Sequence, residues 1–309
     1  MVSLLNSAIT ETLKAFIHGI LDSLKGGVLL FVLDRQIESR ILAKKHTRSY
    51  SHKYGKPHIL KSTLMTCLLN GGVFWLSRIL FYYILLPTIQ QLTSAMLSSS
   101  QADTVSGYIN PILSLVFSAL WVVPIFFLSR LLNCLWFQDI ADASYHVRQG
   151  NPKVIPNFSR WTADFLLSIL TQALFLIQAL LIAKLPIKGV GWLASQLHMS
   201  FLYALYSFEY RWFNIGWELP RRLGHIENNW PYYTGFGLPL TILTTLPESY
   251  FDRGCLFSIL FPIFIISANE ARPIANKSSI QLNLFAPVVS ITDLFFKKTL
   301  GRELSKKPS

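Results

Sequence analysis

The chain has 309 residues, of which 51% are hydrophobic and only 14% are charged, and its mean hydropathy is +0.40. These values exclude an ordinary soluble domain and predict a polytopic, all-α membrane protein. The net charge of +12 would suggest nucleic-acid binding in a soluble protein. Here the basic residues lie between apolar runs, where the positive-inside rule accounts for them. We therefore expect membrane lipids as partners and no nucleic acid.

The N-terminal segment, residues 1–33, has apolar residues at helical spacing with polar residues largely on the other side. This pattern is typical of an amphipathic helix at a membrane interface. Gly26 and Gly27 are expected to break the helix, and His18 and Asp22 are expected on its solvated face. Residues 34–61 are basic and lack long apolar runs, so they are predicted to form a cytosolic loop. Because residues 1–13 hold no Lys or Arg, we expect no cleavable signal peptide.

A single helical membrane domain is predicted over residues 62–296. Four long apolar runs predict full spans at residues 64–89, 111–137, 164–185 and 192–213. The polar loop 90–110 contains no Lys or Arg and is predicted to be luminal. A last apolar run, 280–296, precedes the basic tail 297–309, which a further crossing would carry into the lumen. We therefore interpret 280–296 as peripheral and expect both termini in the cytosol.

Residues 235–270 form two short apolar arms around a polar connector that contains Glu248, Asp252 and Arg253. The arms would reach roughly 18 Å and 22 Å as helices, against a hydrocarbon core of about 30 Å. They favour a proline-interrupted helical hairpin that enters the membrane part-way. If the first arm begins earlier, at the aromatic run 230–233, two ordinary tilted spans result. The sequence leaves both arrangements open.

Several polar side chains fall within the predicted membrane domain and are candidates for an intramembrane polar or anion site: Asn70, Arg78, Gln172, Gln178, His198 and Arg253. Arg78 lies near the middle of the first span, where an unpaired charge costs about 2.5 kcal/mol or more. Its candidate ion-pair partners are Glu209, Asp252 and Glu270. Arg78 either joins helices as a structural ion pair or lines an anion path. Arg253 stands at the start of a helix, whose N-terminal dipole suits an anion.

Motifs of soluble enzymes are missing from the sequence, which has no GxGxxG, P-loop, HExxH or CxxC pattern. The three cysteines, Cys67, Cys134 and Cys255, lie in or beside apolar runs and are expected to be reduced and structural. We expect no catalytic residues, no cofactor and no metal, so the chain is not predicted to be an enzyme. Near its C-terminus, Lys306 and Lys307 match the dilysine retrieval signal of endoplasmic reticulum membrane proteins.

Seven blocks of sequence carry a resemblance to a known family: NGGVFW, FSALWVVPIF, LWFQDIAD, QALFLIQ, FEYRWFN, IENNWPYYTGFGLPL and GCLFSILFPIFIISANEA. Together they resemble the etoposide-induced endoplasmic reticulum membrane protein family, from about residue 60 to residue 296. The resemblance implies an endoplasmic reticulum protein needed in autophagy, for completing degradative autolysosomes, with links to growth suppression and apoptosis. The family is distantly similar to the CysZ sulfate permeases, whose fold combines long spans with half-penetrating hairpins.

Two functions follow from these observations. The first is a non-enzymatic membrane factor that works through protein or lipid contacts, using the amphipathic and basic surfaces of the chain. The second is an anion channel or transporter that uses the intramembrane polar residues. The first is preferred because a shared fold does not carry transport activity with it.

Overall fold

A computed structural model describes residues 2–44, 59–96, 99–148, 158–187, 189–273 and 282–294. Within these ranges the chain is helical and contains no strand, which confirms the all-α polytopic class. Eleven α-helices and three π-helical segments are named in chain order: α1 (Val2–Lys44), α2 (Ile59–Cys67), π1 (Leu68–Trp75), α3 (Leu76–Leu80), π2 (Phe81–Leu85), α4 (Leu86–Met96), α5 (Ser99–Phe117), π3 (Ser118–Val122), α6 (Val123–Arg148), α7 (Phe158–Ala183), α8 (Val190–Ile215), α9 (Leu219–Asn228), α10 (Trp230–Thr245) and α11 (Tyr250–Glu270). A further short helix, α12, covers residues 286–294.

Among the residues that the structure describes, four helical stretches are long and apolar enough to cross a membrane: Asn6–Gln36, Ile59–Met96, Thr162–Ala183 and Tyr250–Glu270. The second and third contain most of the predicted spans 64–89 and 164–185. The first and fourth were predicted as an interfacial helix and as one arm of the hairpin. The predicted spans 111–137 and 192–213 lie in α5–α6 and in α8.

The predicted luminal loop 90–110 is largely helical instead. Helix α4 continues to Met96 and α5 begins at Ser99, so the polar segment extends both helices beyond their apolar parts. Pro111 lies inside α5 without ending it. Helix α6, which follows α5 and π3 along the chain, also exceeds the prediction. It continues to Arg148, past the predicted end of the span at Phe137. Polar composition there reflects exposure of the helices rather than a loss of helical structure.

Helix α1 differs most from the prediction, because it runs unbroken through Gly26 and Gly27 as far as Lys44. Gly26 packs against α11: a Cβ built on it would lie 2.0 Å from the carbonyl oxygen of Ile263. Its N–H donates a hydrogen bond of 2.7 Å to Ser267 Oγ. The glycine therefore allows close helix contact and does not end the helix. Residues 34–44 are helical too, so only 45–58 of the predicted basic loop lie outside the described residues.

The surface of α1 has three faces. One is buried against α10 and α11 and includes Ala15, Gly19, Ser23 and Leu33. A second is apolar and exposed, with side chains at helical spacing: Ile9, Leu13, Ile17, Leu21, Leu24, Val28 and Phe31. The third is polar and exposed and carries Glu11, Lys14 and Lys25. The amphipathic pattern predicted for α1 is thus present, with the helix built into the bundle along its buried face.

The centre of the bundle is an aromatic cluster between α8 and α10. Phe208 makes edge-on contacts with Tyr233 and Phe236, with ring centroids 5.0 Å and 4.8 Å apart. All three side chains are fully buried. The two helices approach closely at Gly237, where a Cβ would lie 1.8 Å from the carbonyl oxygen of Ser200. This cluster holds the start of α10 in place and so positions the hairpin that follows.

The hairpin consists of α10 with 16 residues and α11 with 21 residues. These lengths correspond to about 24 Å and about 32 Å, so α11 matches the hydrocarbon thickness and α10 falls short of it. Both arms exceed the prediction because residues 230–233 join α10 and residues 250–253 join α11. Pro239 and Pro262 lie inside the helices without ending them.

Candidate functional site

Arg78 meets α11 at the turn of the hairpin. Its Nη1 donates to Asp252 Oδ1 at 2.6 Å and to Ser249 Oγ at 3.3 Å. The two charged side chains are 20% and 24% exposed, so the pair is only partly accessible. Asp252 lies in the first turn of α11, where the helix dipole favours a negative charge. Of the three candidate partners, Asp252 is the one that contacts Arg78.

Arg253 is exposed and closes the hairpin turn, because its Nε donates to the carbonyl oxygen of Pro247 at 2.7 Å. A third arginine, Arg130 of α6, belongs to the same region and was missed by sequence reasoning. Arg130 and Arg78 both act electrostatically on Cys255, and Arg130 and Arg253 both act on Tyr203. Arg78, Arg130 and Arg253 therefore belong to one region near the start of α11.

Asn70 forms a reciprocal amide pair with Asn133 of α6. The Nδ2 of Asn70 donates to Asn133 Oδ1 at 3.0 Å, and the Nδ2 of Asn133 donates back to Asn70 Oδ1 at 3.3 Å. Both side chains are buried. The same Asn70 nitrogen also donates to the carbonyl oxygen of Thr66 at 2.8 Å. This candidate therefore acts as a hydrogen-bonded link between helices.

Gln172 and Glu209 belong to a charged network centred on Arg222 of α9, which is only 1% exposed. Glu209 accepts hydrogen bonds from Gln172 and Ser168 of α7 and, at 3.2 Å, from Arg222 Nη1. Arg222 Nη2 donates to Asp164, and Arg222 Nε donates to the carbonyl oxygen of Trp217 at 2.8 Å. Glu209 is thus the partner of Arg222 and not of Arg78.

Gln178 and His198 contact each other between α7 and α8. His198 Nδ1 lies 2.7 Å from the carbonyl oxygen of Ala194, so that nitrogen carries the proton and Nε2 accepts from Gln178 Nε2 at 3.1 Å. Gln178 Nε2 also donates to the carbonyl oxygen of Leu284 at 3.1 Å. The segment before α12 therefore covers this pair.

The same C-terminal segment is held by α9. The backbone N–H of Phe285 donates to Glu227 Oε1 at 2.9 Å, and the Phe285 ring stacks on Phe175 with centroids 4.2 Å apart. Burial raises the pKa of Glu227, although the hydrogen bond from Phe285 opposes this rise. Phe285 and Val288 are buried. Within its described part, residues 282–294, the apolar run predicted as peripheral packs against the bundle through Phe285, Val288 and Thr292, and most of its other residues are exposed.

His225, also in α9, is surrounded by aromatic rings. Its ring centroid lies 5.1 Å from Trp217, 5.8 Å from Tyr233 and 6.0 Å from Trp212, all in edge-on orientations. Burial lowers the pKa of His225, and the positive charges of Arg221 and Arg211 lower it further. A neutral imidazole is therefore the form that fits this aromatic pocket.

Asp22 of α1 is buried and not on a solvated face, contrary to the prediction. It accepts a hydrogen bond of 2.7 Å from the Tyr232 hydroxyl of α10, and Lys25 Nζ lies 2.5 Å from its other carboxylate oxygen. His18 Nε2 lies 3.4 Å away, one helical turn before it. The sequence does not show this burial because Tyr232 lies on a distant helix.

The remaining candidates fall outside these contacts. Glu270, at the end of α11, interacts electrostatically with Arg211, whose Nη1 donates to the carbonyl oxygens of Ala268 and Ala271 at 2.8 Å and 2.7 Å. Lys306 and Lys307 lie outside the described residues. Across the described part of the chain, no group of three or more His, Cys, Asp or Glu side chains is placed to hold a metal ion.

The six candidates therefore separate into four contacts and do not converge on one site. Arg78 and Arg253 lie at the hairpin turn, and Asn70 pairs with α6. Gln172 joins the Arg222 network, while Gln178 and His198 form the fourth contact. Two open grooves of about 420 Å³ and 530 Å³ lie elsewhere and have other lining residues. In this geometry these polar groups join helices or close turns.

The chain has relatives among known proteins. A family described as "Sulfate transporter CysZ/Etoposide-induced protein 2.4" matches residues 52–248. "Ectopic P granules protein 4" of Caenorhabditis elegans is 37% identical over 150 residues, which are 48% of this chain and 48% of that protein. Proteins named "Protein EI24 homolog" are 26% identical: in Arabidopsis thaliana over 70% of this chain and 76% of the relative, and in Dictyostelium discoideum over 82% and 83%. No solved structure matches the chain.

The extent of the match differs between these relatives. The chain spans about half the length of the C. elegans protein and three quarters or more of the other two. The family match begins at residue 52 and ends at the hairpin turn, so it includes α2 to α10.

Proposed function

We propose that this chain, which belongs to the sulfate transporter CysZ/etoposide-induced protein 2.4 family, is a multipass protein of the endoplasmic reticulum membrane that is required for autophagy. The step of autophagy in which it acts is the maturation of autophagosomes into degradative autolysosomes. The protein is also linked to growth suppression and apoptosis. Family membership and the several membrane-length helices support this proposal. The basic tail with Lys306 and Lys307 supports residence in the endoplasmic reticulum.

The mode of action is non-enzymatic and works through contacts with lipids and with other proteins. The observation that carries this proposal is the hydrogen bonding of the intramembrane polar groups. Asn70, Arg78, Gln172 and His198 all bond to groups on neighbouring helices or to their own helix. Buried polar groups satisfied in this way fix the arrangement of helices and leave little capacity for a passing solute.

The surfaces that remain for contact lie on the outside of the bundle. Helix α1 presents an apolar row beside an exposed polar row with Glu11 and Lys14. A helix with these two faces suits the boundary between lipid and water or a protein partner that lies there. The basic residues that follow α1 add attraction to anionic lipid.

Deletion of the protein in cells tests the proposal. Autophagosomes are expected to form in normal numbers and to accumulate with undegraded cargo. Re-expression of the intact chain should restore degradation, and the double variant Arg78→Gln/Asp252→Asn, which removes both charges of the pair together, should restore it as well. Normal cargo degradation in the deletion would refute the proposed role.

An anion transporter is the second candidate, and one observation favours it. Arg78, Arg130 and Arg253 lie near the start of α11, where Asp252 pairs with Arg78. Clustered cations at a helix N-terminus are the chemistry that binds anions in transporters. This candidate predicts a sulfate or chloride flux that depends on the arginines.

A further inference from the structure

A groove of about 420 Å³ lies between the C-terminal part of α1 and the start of α2. We call it the α1–α2 groove, and its lining residues are Asp34, Leu60, Lys61, Leu64, Met65 and Leu68. The neighbouring side chains Leu33 and Ile59 are buried, at 0% and 1% exposure. Both walls are therefore anchored in the bundle, while the groove itself is open to the surroundings.

One part of the α1–α2 groove is apolar. Leu60, Leu64 and Leu68 are spaced by four residues, so they form one row of about 12 Å along α2 and into the start of π1. Leu64 and Leu68 are 51% and 58% exposed. Leu64 is also the first residue of the long apolar run of the first span. The row therefore lies at the depth of lipid acyl chains.

The other part is polar and lies beside Leu60, at the outer end of the row. It is formed by Lys61 of α2 and Asp34 of α1, which line the same groove. Because Lys61 lies three residues before the start of the apolar run at Leu64, we place this part at the level of the lipid headgroups. A positive and a negative side chain thus stand together above an apolar row.

Asp34 specifies the chemistry that would complete the groove. Its Oδ1 is shielded from water and has no hydrogen-bond partner within the described residues. An ionised carboxylate is an acceptor only, and shielded acceptors are nearly always paired in folded proteins. What Asp34 requires is therefore a cationic N–H donor. Lys61 supplies the complementary charge for a phosphate.

We propose that the α1–α2 groove binds one glycerophospholipid with a primary ammonium headgroup, of the phosphatidylethanolamine type. The ammonium donates to the Asp34 carboxylate, the phosphate pairs with Lys61, and one acyl chain lies along Leu60, Leu64 and Leu68. A choline headgroup has the same charge but no N–H to donate. A lipid with only negative charge would be repelled by Asp34. This site is independent of the function proposed above.

The test compares two lipids that differ only in the headgroup. The full chain is purified in detergent, and its binding of phosphatidylethanolamine and of phosphatidylcholine with identical acyl chains is measured by native mass spectrometry. We expect about a tenfold preference for phosphatidylethanolamine, the worth of one charge-assisted hydrogen bond. Asp34→Asn should bring the ratio close to one, whereas Lys61→Gln should weaken the binding of both lipids, because both carry the phosphate. Asp293→Asn, which alters an exposed acid of α12, should leave it unchanged.

A second variant protects the test against misfolding. Leu64→Trp fills the apolar row and keeps both Asp34 and Lys61, and it should reduce binding of both lipids while the thermal unfolding temperature stays the same. Equal binding of the two lipids by the intact chain would overturn the proposal. So would a preference for phosphatidylethanolamine that survives in Asp34→Asn.

Discussion

Gly19 of α1 lies directly against the backbone of Tyr232 in α10. A Cβ built on Gly19 would be 2.1 Å from the Tyr232 carbonyl oxygen and 2.8 Å from the backbone nitrogen of Phe236. A similar contact occurs at a neighbouring point of the same α1–α10 interface, where a Cβ on Gly235 would be 2.0 Å from the carbonyl oxygen of Phe16. The close approach brings Asp22 within 2.7 Å of the Tyr232 hydroxyl. These glycines attach α1 to the hairpin.

Gly19→Ala should therefore destabilise the protein. The added methyl group would meet backbone atoms that cannot rotate away, so α1 must move off α10 at a cost of about 1–3 kcal/mol. Gly27→Ala is the matched control, because a Cβ there meets nothing within 4 Å. Better helix propensity should make it neutral or up to about 1 kcal/mol stabilising. Thermal unfolding in detergent measures both, and equal unfolding temperatures for the two variants would refute the proposed role of Gly19.

Two adjacent arginines of α9 should respond very differently to truncation. Arg222→Ala leaves Asp164 and Glu209 without their cation inside the bundle, which costs about 3–5 kcal/mol. Arg221 is exposed and lies over the Trp217 ring at 4.3 Å, so Arg221→Ala should cost about 0.5–1 kcal/mol. The comparison is made by chemical denaturation of purified protein. Similar losses for the two variants would show that the Arg222 network contributes little.

His225 predicts a pH dependence of stability. Its pKa in the folded protein is lower than its ordinary value of about 6.5, so the unfolded chain binds its proton more readily. The contribution of neutral His225 to the free energy of unfolding is complete above about pH 6.5. This contribution is lost as the pH falls through the lower pKa of the folded state. The unfolding temperature should therefore fall between pH 7.5 and pH 5.

His225→Phe isolates this effect, since it keeps an aromatic ring and removes the titrating group. The acid-dependent decrease should be smaller in the variant than in the intact chain. A decrease of equal size in both proteins would mean that groups other than His225 determine it; Glu227, whose pKa is raised by burial, acts in the opposite direction.

The sequence correctly predicts features that are set within one helix, such as its periodicity and hydropathy. Helical periodicity and hydropathy predict an all-α polytopic protein, and this class is confirmed. Asp252, which lies in the predicted polar connector, was one of the three acids considered as partners for Arg78, and it is the one that contacts Arg78. The break at Gly26 was wrong, since a glycine in sequence does not tell whether another helix packs against it.

Buried charges were missed for a related reason. Arg221 and Arg222 are adjacent and both basic, and only the packing of α9 against α7 and α8 makes one exposed and the other fully buried. Asp164, which accepts from Arg222, lies 58 residues earlier in the chain. A single sequence gives no indication that two residues so far apart in the chain are in contact. The same holds for Asn133, whose partner Asn70 is 63 residues away.

The basic tail carries a prediction about localisation. Replacement of Lys306 and Lys307 by Ala should let part of the protein leave the endoplasmic reticulum, because a retrieval receptor reads a lysine pair at these positions. Lys297→Ala/Lys298→Ala is the matched control, with the same loss of charge in the same tail. Imaging of tagged protein compares the two variants. An unchanged distribution of the first variant would show that the pair is only part of a basic tail.

Anion flux in liposomes tests the central claim most directly, namely that the intramembrane polar residues join helices and do not conduct. The intact chain is reconstituted, and uptake of labelled sulfate and chloride is compared with that of empty vesicles. We predict equal uptake, and we predict that Arg78→Ala lowers thermal stability through loss of the contact with Asp252. Uptake well above empty vesicles, abolished by Arg78→Ala or Arg253→Ala in protein that remains folded, would contradict the account and establish the transporter.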